Sequence, residues 1–384
     1  MAQAPLVLVT TSFPIGGNGS EAAGSFVADI VEELARHRPV RVVAPGRATA
    51  QESISPNLEV FRYAAPNKAL SLLRPWRPMD WLWLWRVLRN GMAMTRAAAV
   101  GAEDIVALWA LPCGEWARRV AREYRLGYKV WMLGSDVWVL GRIPFLRGLT
   151  AKVIREASAA FADGYELARE AAEIAQTTVD FLPSTRALES RDAPSVRDAP
   201  PYRLLFLGRW HPNKGIDLLL QALATLRQSD WRRIERVEIQ GGGPLEQRVR
   251  DKVRALVARG LPVVVGDYLD KAEAEDAIAR ADWVLIPSRI ESIPVVFSDA
   301  VKMGRPVITT PVGDLPRLIE TLRCGICAQR ANAPAIAAAI RSGLHDSPRS
   351  FAAGVHTARD LFSLTDIARR LVDAPRSHES VSNG

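Results

Sequence analysis

Short apolar runs alternate with amphipathic segments along the first half of the chain. Residues 6–9 are all apolar and are followed by a loop with several glycines at 13–24. The next segment places its apolar residues on one face of a helix, namely Phe26, Ile30, Val31 and Leu34. A second apolar run follows at 40–43. The alternation continues with predicted strands at 104–108 and 129–133 and a helix at 115–125 between them. This order of elements predicts an open parallel α/β domain.

The same pattern restarts after residue 201. The segment 184–201 has no hydrophobic periodicity and contains three prolines, so it predicts a linker. Beyond it we predict strands at 204–207, 237–240, 263–265, 283–286 and 307–309, with helices at 216–226 and 295–303 and another ending near 281. The strands are short and apolar throughout, as in sheets covered by helices on both faces. A chain of 384 residues also exceeds what one core usually organises. The sequence therefore predicts two Rossmann-like, doubly wound α/β domains.

The amino-acid composition indicates the class of protein and the kind of partner that it favours. Hydrophobic residues make up 48% and charged residues 24%, as expected for a globular protein. The net charge of +8 favours an anionic partner, which could be nucleic acid, an anionic lipid surface or a phosphorylated substrate. We see no secretory signal and no run of the roughly 18 to 20 apolar residues that cross a bilayer. We therefore expect a cytoplasmic or peripheral protein.

The three cysteines indicate a reducing compartment. They are Cys113, Cys324 and Cys327, an odd number that suits free thiols. The last two form a C-x-x-C pair, but no second pair or nearby histidine completes a metal site.

Two loops after predicted strands carry the most informative chemistry. The first, 208–215, reads Gly-Arg-Trp-His-Pro-Asn-Lys-Gly and leads into a helix. Backbone N–H groups at a helix start favour an anion, and Arg209 and Lys214 add two cations, so the loop suits a diphosphate. The second, 287–292, contains Glu291 and is followed eight residues later by Asp299. Carboxylates accept hydrogen bonds from sugar hydroxyls. Each loop also has a simpler interpretation. The first would be a basic turn at the surface, and Glu291 would be an acid in the first turn of a helix, opposing the helix dipole.

Taken as a set, these loops resemble the C-terminal domain of the retaining glycosyltransferases of family 4. The matching motifs are Gly208-Arg209 with Lys214-Gly215, Gly241 to Pro244, Pro287-Ser288 with Glu291 and Asp299, Gly304 to Val307, and Pro311 to Gly313. The N-terminal half resembles the family more loosely, at Ser12 to Pro14, Gly16-Gly17, Gly24 to Val27, Leu133 to Val137 and Phe181 to Pro183. The resemblance implies the GT-B architecture, in which two Rossmann-like domains face each other across a cleft.

We assign the domains accordingly. The first domain is expected at 1–183, the linker at 184–201 and the nucleotide-sugar-binding domain at 202–350. Helices at 351–374 are expected to pack back towards the first domain, and 375–384 is expected to be a disordered tail.

The resemblance also implies roles for individual residues. Arg209 and Lys214 would hold the donor diphosphate, Glu291 the transferred sugar and Asp299 the ribose. Further donor-site residues would be Gly16, Gly17, Gly208, Gly242, Gly243, Pro244 and Ser292. The family transfers with retention, explained by front-face attack without a protein nucleophile. No Asp-x-Asp motif occurs in the sequence, so we expect no metal and no cofactor.

Three positions depart from the family pattern. Asp299 replaces the second glutamate, Leu133 stands where the family usually has a histidine, and Asp314 follows Gly313 in place of a second glycine. The implied activity is transfer of a hexose from a nucleotide-diphosphate sugar to a lipid-linked or glycan acceptor, in cell-surface polysaccharide or glycolipid synthesis. The alternatives are a GT-B-type epimerase or hydrolase and a non-catalytic binding protein.

The stretch 68–96 interleaves tryptophans and arginines and has almost no acid. On a helix its apolar stripe would comprise Trp81, Leu84, Trp85 and Leu88, with arginines beside it. Such a segment suits an anionic membrane surface, and the alternative is a packed helix with solvated arginines. We expect no nucleic-acid partner, because no nucleic-acid-binding module is recognisable.

A dinucleotide-dependent dehydrogenase is the remaining alternative. Gly17, Gly19 and Ala22 imitate its fingerprint, but no acid follows the second strand at Val43.

Overall fold

The computed structural model describes residues 3–14, 21–66, 78–138, 143–188 and 195–373. The chain divides into two compact units. The first comprises residues up to Ala187 together with the segment that begins at Leu364, and the second comprises Leu188–Ser363. The chain therefore passes from one unit to the other twice.

The first unit is built on a mainly parallel sheet. Its strands are β1 (Leu6–Val9), β2 (Val40–Gly46), β3 (Ala50–Ser55), β4 (Leu58–Ala64), β5 (Asp104–Leu108), β6 (Gly127–Met132), β7 (Ala159–Ala162) and β8 (Asp180–Phe181). Among the described residues they form one sheet in the order β3-β4-β2-β1-β5-β6-β7-β8. Only β3 is antiparallel, to β4; the other pairs are parallel. The prediction lacks β4 and β7, and it also lacks β3, a polar and mostly exposed strand with the sequence AQESIS.

Helices cover this sheet, as the amphipathic pattern predicts. They are α1 (Glu21–Ala35), α2 (Pro78–Ala99), α3 (Glu115–Tyr124), α4 (Ser135–Trp138), α5 (Pro144–Glu156) and α6 (Tyr165–Ala175). The face of α1 that packs on the sheet contains Val27, Ile30, Val31 and Leu34, which are all buried.

The second unit is a fully parallel α/β sheet with helices between its strands. The strands are β9 (Tyr202–Leu207), β10 (Ile234–Gln240), β11 (Val263–Val265), β12 (Trp283–Ile286), β13 (Val307–Thr309) and β14 (Gly325–Cys327). In the described chain their order is β11-β10-β9-β12-β13-β14. The helices are α7 (Ile216–Ala224), α8 (Gln228–Trp231), α9 (Glu246–Val257), α10 (Lys271–Arg280), α11 (Val295–Lys302), α12 (Leu315–Leu322), α13 (Ala333–His345) and α14 (Ala352–Leu361). Two doubly wound α/β units confirm the predicted fold class.

The last helix, α15 (Leu364–Asp373), belongs to the first unit. Its Ile367 and Leu371 are buried in the same cluster as the apolar face of α1, and the Thr365 hydroxyl donates to Glu33 at 2.7 Å. Helix α14 instead stays with the second unit, where Phe362 packs edge-on against Phe297 of α11. We predict from the sequence that both C-terminal helices pack against the first domain. The contacts instead divide them, because each helix has its own apolar face.

The order of the strands locates the point where a ligand would bind. In the second sheet, the chain runs outwards from β9 in one direction and from β12 in the other, so these neighbouring strands form the switch point. Loops that leave two adjacent parallel strands towards opposite faces open a crevice at their carboxyl ends. The loops 208–215 and 287–292 are those two loops.

Candidate functional site

The loops that follow β9 and β10 are joined by backbone hydrogen bonds. The amide of Trp210 donates to the carbonyl of Gly242 at 2.7 Å, and that of Leu245 donates to Trp210 at 3.1 Å. Gly241 has φ +143°, and a Cβ there would overlap the carbonyl of Gly208. Only glycine permits this close approach of two backbones. The predicted glycine turn therefore fixes the shape of the first loop.

Arg209 is an available cation at the edge of this turn. Its side chain is exposed and lies against the backbone of Gly243, where an added Cβ would stand 3.3 Å from the Arg209 Cγ. The guanidinium makes no hydrogen bond or ion pair with any residue that the structure describes. Pro244 is exposed beside it. Arg209, Gly243 and Pro244 thus lie together, as the motif order indicates.

Lys214 and Glu291 meet directly. Lys214 ends the short 3₁₀ turn Pro212–Lys214, and its Nζ contacts Oε1 of Glu291, which is mostly buried. The hydroxyl of Ser288 lies 3.5 Å from the same carboxylate oxygen. Gly215 has φ +67°, and a Cβ there would overlap the carbonyl of Pro287, so the two loops touch through their backbones. A cation and a carboxylate from the two predicted loops therefore share one location.

Arg289 ties the same two loops together from the other side. Its guanidinium donates to both carboxylate oxygens of Asp217 at 2.7 and 2.8 Å and to the carbonyl of Pro212 at 2.6 Å. Its amide donates to the carbonyl of Asn213 at 2.7 Å. The hydrogen bonds from Arg289 lower the pKa of Asp217, and those to Asp217 raise the pKa of Arg289. The sequence motifs predict no role for either residue. The signal that could identify the pair is an aspartate in the first turn after Lys214-Gly215.

A third loop supports Glu291 and Ser292 from behind. Gly313 has φ +52°, and a Cβ there would overlap the carbonyl oxygens of both residues. The amide of Asp314 donates to the Ser292 carbonyl at 3.3 Å. The buried Ser292 hydroxyl has no hydrogen-bond partner within the described ranges. Thus Asp314, which departs from the family pattern, holds the loop through its backbone.

Three further predicted site residues are Asp299, Gly16 and Gly17. Asp299 lies inside α11 and is only 2% exposed, so its carboxylate is enclosed by the fold. Gly16 and Gly17 fall outside the described residues. The roles assigned to these three residues, and to the rest of the donor set, stay predictions.

The first unit has its own switch point, between β1 and β5. After β5 the backbone of Trp109 adopts φ +70°, and the amide of Ala110 donates to the buried Asp136 carboxylate at 2.7 Å. Burial raises the pKa of Asp136, although backbone hydrogen bonds oppose this. Leu133, at the position of the family histidine, is half-buried and packs against the core. The segment from Gly134 to Asp136 therefore shapes the turn at Trp109.

The C-x-x-C pair and the possible metal ligands can be located in the described chain. Cys324 is buried at the start of β14, and burial raises its pKa to about 12. At neutral pH such a thiol is almost entirely protonated. Redox chemistry at the C-x-x-C pair needs the thiolate and is therefore disfavoured. No group of three or more histidine, cysteine, aspartate or glutamate residues in the described part of the chain is placed to hold a metal ion.

Known proteins resemble this chain in sequence over its second unit and in fold over nearly its whole length. Residues 201–346 match the family described as Glycosyl transferases group 1. A D-inositol 3-phosphate glycosyltransferase of Kineococcus radiotolerans is 33% identical over 175 residues, which cover 41% of this chain and 39% of that protein. The match thus spans about two fifths of this relative's length.

Two solved structures show the fold. Sucrose-phosphate synthase from Thermosynechococcus elongatus superposes with a TM-score of 0.69 at 18% identity, covering 96% of this chain and 97% of that one. Anabaena HepE in complex with UDP-glucose superposes with a TM-score of 0.66 at 14% identity, covering 96% and 98%.

Proposed function

We propose, from the GT-B fold and from the match of residues 201–346 to the group 1 glycosyl transferases, that the chain is a retaining, metal-independent glycosyltransferase. Its donor is a nucleotide-diphosphate hexose. Its acceptor is a lipid-linked molecule or a glycan, and its product serves cell-surface polysaccharide or glycolipid synthesis. The enzyme works from the cytoplasm, at the inner face of the plasma membrane when the acceptor is lipid-linked.

One observation carries the proposal: two cations lie on the loop 208–215, at the switch point of the second sheet. Arg209 has no counter-ion in the described chain, and Lys214 is held by Glu291. A diphosphate gains negative charge as its bond to the sugar breaks, and cations already in place stabilise that charge without reorganisation. Arg209 and Lys214 are the groups for this task.

The carboxylate and hydroxyl beside Lys214 suit the sugar. Glu291 can accept hydrogen bonds from hexose hydroxyls while it keeps contact with the ammonium. The buried Ser292 hydroxyl offers a further polar group. Asp299 is assigned to the ribose. The acceptor hydroxyl then attacks the face that the diphosphate leaves, which retains the configuration of the sugar. The HepE complex with UDP-glucose supports the donor class.

Replacing Arg209 and Lys214 together with alanine tests the proposal. We expect turnover to fall by about 100-fold or more and nucleotide-diphosphate affinity to fall with it, because the leaving group loses both countercharges. Calorimetric titration and product assays measure the two effects. The donor base is chosen beforehand by thermal shift, since a ligand of the folded state raises the melting temperature.

A matched control removes the same charge from the same unit. Arg254 and Arg259 are exposed on and just beyond α9, and their double alanine variant should keep donor affinity and turnover. Unchanged affinity and turnover in the Arg209→Ala/Lys214→Ala variant would refute the proposal.

Leu133 favours one competing function, a member of the fold that binds donor without transfer. A hydrophobic side chain that packs into the core cannot orient a sugar by hydrogen bonding. Donor binding without product on any lipid-linked acceptor would support this alternative. Free sugar released from donor alone would instead identify a hydrolase.

A further inference from the structure

Helix α2 leaves a stripe of large apolar side chains exposed. Trp81, Trp85 and Leu88 are 59%, 50% and 41% exposed and recur at i, i+4 and i+7, so they lie on one side of the helix. Leu82 and Met79, on other sides of the same helix, are also exposed. Exposed apolar patches of this kind are more typical of a binding surface than of the rest of a protein's surface. Leu84, part of the predicted stripe, is half-buried instead.

The middle and C-terminal parts of α2 are firmly packed. Val87 and Thr95 are fully buried, and the Thr95 hydroxyl donates to the Gly91 carbonyl at 2.7 Å. Gly91 lies so close to the ring of Trp116 in α3 that an added Cβ would overlap it. The helix is therefore anchored to the first unit, and its outer stripe is presented in a fixed orientation.

Cations border the apolar stripe. Arg89 stacks over Trp85 at 5.2 Å, and Arg86 stacks over Trp83 at 5.6 Å. Over Pro78–Ala99 the sequence has three arginines and a single acid, Asp80. Indole rings beside arginines match the boundary of an anionic bilayer, where indoles lie at the level of the headgroups and guanidinium groups meet lipid phosphates.

The same charges disfavour a second copy of the chain as the partner. In a twofold symmetric contact the same patch faces itself, so Arg86 and Arg89 of both copies would be brought together. An anionic lipid surface instead neutralises them. No helix in the described ranges is long and apolar enough to cross a membrane.

We propose that the exposed stripe of α2, formed by Trp81, Trp85 and Leu88 with Arg86 and Arg89 beside it, binds the surface of an anionic membrane. Docking there brings the catalytic units to a lipid-linked acceptor; this consequence rests on the proposed function, whereas the binding itself does not.

Flotation with lipid vesicles tests the binding without donor or acceptor. The full-length protein should float with phosphatidylcholine vesicles that contain phosphatidylglycerol, bind pure phosphatidylcholine weakly, and dissociate as salt rises. Two variants separate the contributions: Trp81→Ala/Trp85→Ala keeps the charges, and Arg86→Glu/Arg89→Glu keeps the indoles. Each should lower vesicle affinity by about tenfold or more.

Two controls make the outcome specific. The variant Arg254→Glu/Arg259→Glu changes charge equally in the second unit and should float as wild type does. Nucleotide binding and melting temperature should stay unchanged in both α2 variants, because their side chains are exposed. Since flotation needs no donor, a failed glycosyltransferase assay leaves this result intact.

Three results would overturn the proposal. They are absence of wild-type binding to phosphatidylglycerol vesicles, wild-type flotation of both α2 variants, and a concentration-dependent dimer that the Trp81→Ala/Trp85→Ala change abolishes. The last would assign the stripe to a second copy of the chain.

Discussion

Gly313 shows how one residue without a side chain can position a polar site. Its φ of +52° is strained for other residues, and its Cα faces the carbonyl oxygens of Glu291 and Ser292. Gly304 offers a natural comparison, because it also has a positive φ, +76°, but no atom lies within 4 Å of an added Cβ. Comparing substitutions at the two glycines therefore distinguishes the cost of backbone strain from the effect of displacing the Glu291 loop.

Substituting alanine at each position measures the two effects. Gly304→Ala should lose about 1 kcal/mol of stability from the left-handed backbone and keep its donor kinetics. Gly313→Ala should lose more and raise the donor KM at least about tenfold, because the Glu291 loop must move away from the new methyl group. Thermal unfolding measures the loss of stability, and steady-state kinetics measure the donor KM. Equal donor KM values in the two variants would show that Gly313 has no part in the site.

At the scale of elements, the Arg289–Asp217 ion pair joins the β9 and β12 loops. Asp217 lies in the first turn of α7, and Arg289 precedes Glu291 by two residues, so the pair sets the spacing between Lys214 and Glu291. A planar guanidinium forms two parallel bonds to a carboxylate, which an ammonium cannot do. The function of the pair is therefore geometric, and it acts through Lys214 and Glu291.

Arg289→Lys should accordingly harm the site more than the fold. We expect kcat/KM for the donor to fall about tenfold, with a melting temperature within a few degrees of wild type, since the pair is partly exposed. Arg254→Lys is the matched control, because it alters an exposed ion pair with Asp251 on α9. An Arg289→Lys variant with normal kinetics would contradict the positioning role.

The pH dependence of stability provides a second measurement on the same pair. Arg289 lowers the pKa of Asp217 in the folded state. The stabilisation is therefore complete above the unfolded pKa, about 3.9, and is lost as pH falls through the lower folded pKa. Urea unfolding should show wild type more stable than Asp217→Asn at neutral pH, with the difference shrinking below about pH 4.

Apolar elements were predictable from the sequence, whereas the contacts that build the site were not. The strands at 6–9, 104–108, 263–265, 283–286 and 307–309 have the predicted bounds, because buried parallel strands are continuous apolar runs. Strand β3 lacks such a run, since it is an edge strand with polar side chains. The motif loops were recognisable, but Asp217 and Arg289 are 72 residues apart, and only the fold brings them together.

On the scale of the whole molecule, α15 makes the first unit discontinuous in sequence. Lys129 on β6 forms a buried ion pair with Asp104 at 3.0 Å, and its Nζ also donates to the Val372 carbonyl of α15. Together with the buried Ile367 and Leu371, these contacts close one face of the first sheet. The first unit therefore depends on the final residues that the structure describes.

Deleting residues 364–384 should destabilise the first unit selectively. Loss of Ile367 and Leu371 removes about 1.5 to 3 kcal/mol of burial for each side chain and leaves Lys129 without its carbonyl partner. Hydrogen exchange should accelerate in β1 and β5 but not in β9 and β12, and the nucleotide-induced thermal shift should persist. A chain ending at Asp373 is the control. Unchanged exchange in β1 and β5 after the longer deletion would contradict the role of α15.

Because the chain comes back to the first unit at α15, the two units are completed in a defined order during biosynthesis. A ribosome releases residues from the amino end, so all of the second unit emerges before α15 does. The second unit can thus be completed while the first unit, although its synthesis begins earlier, still lacks a piece of its core. During that interval a nascent chain would expose the apolar surface that α15 later covers, which is the kind of surface that chaperones bind.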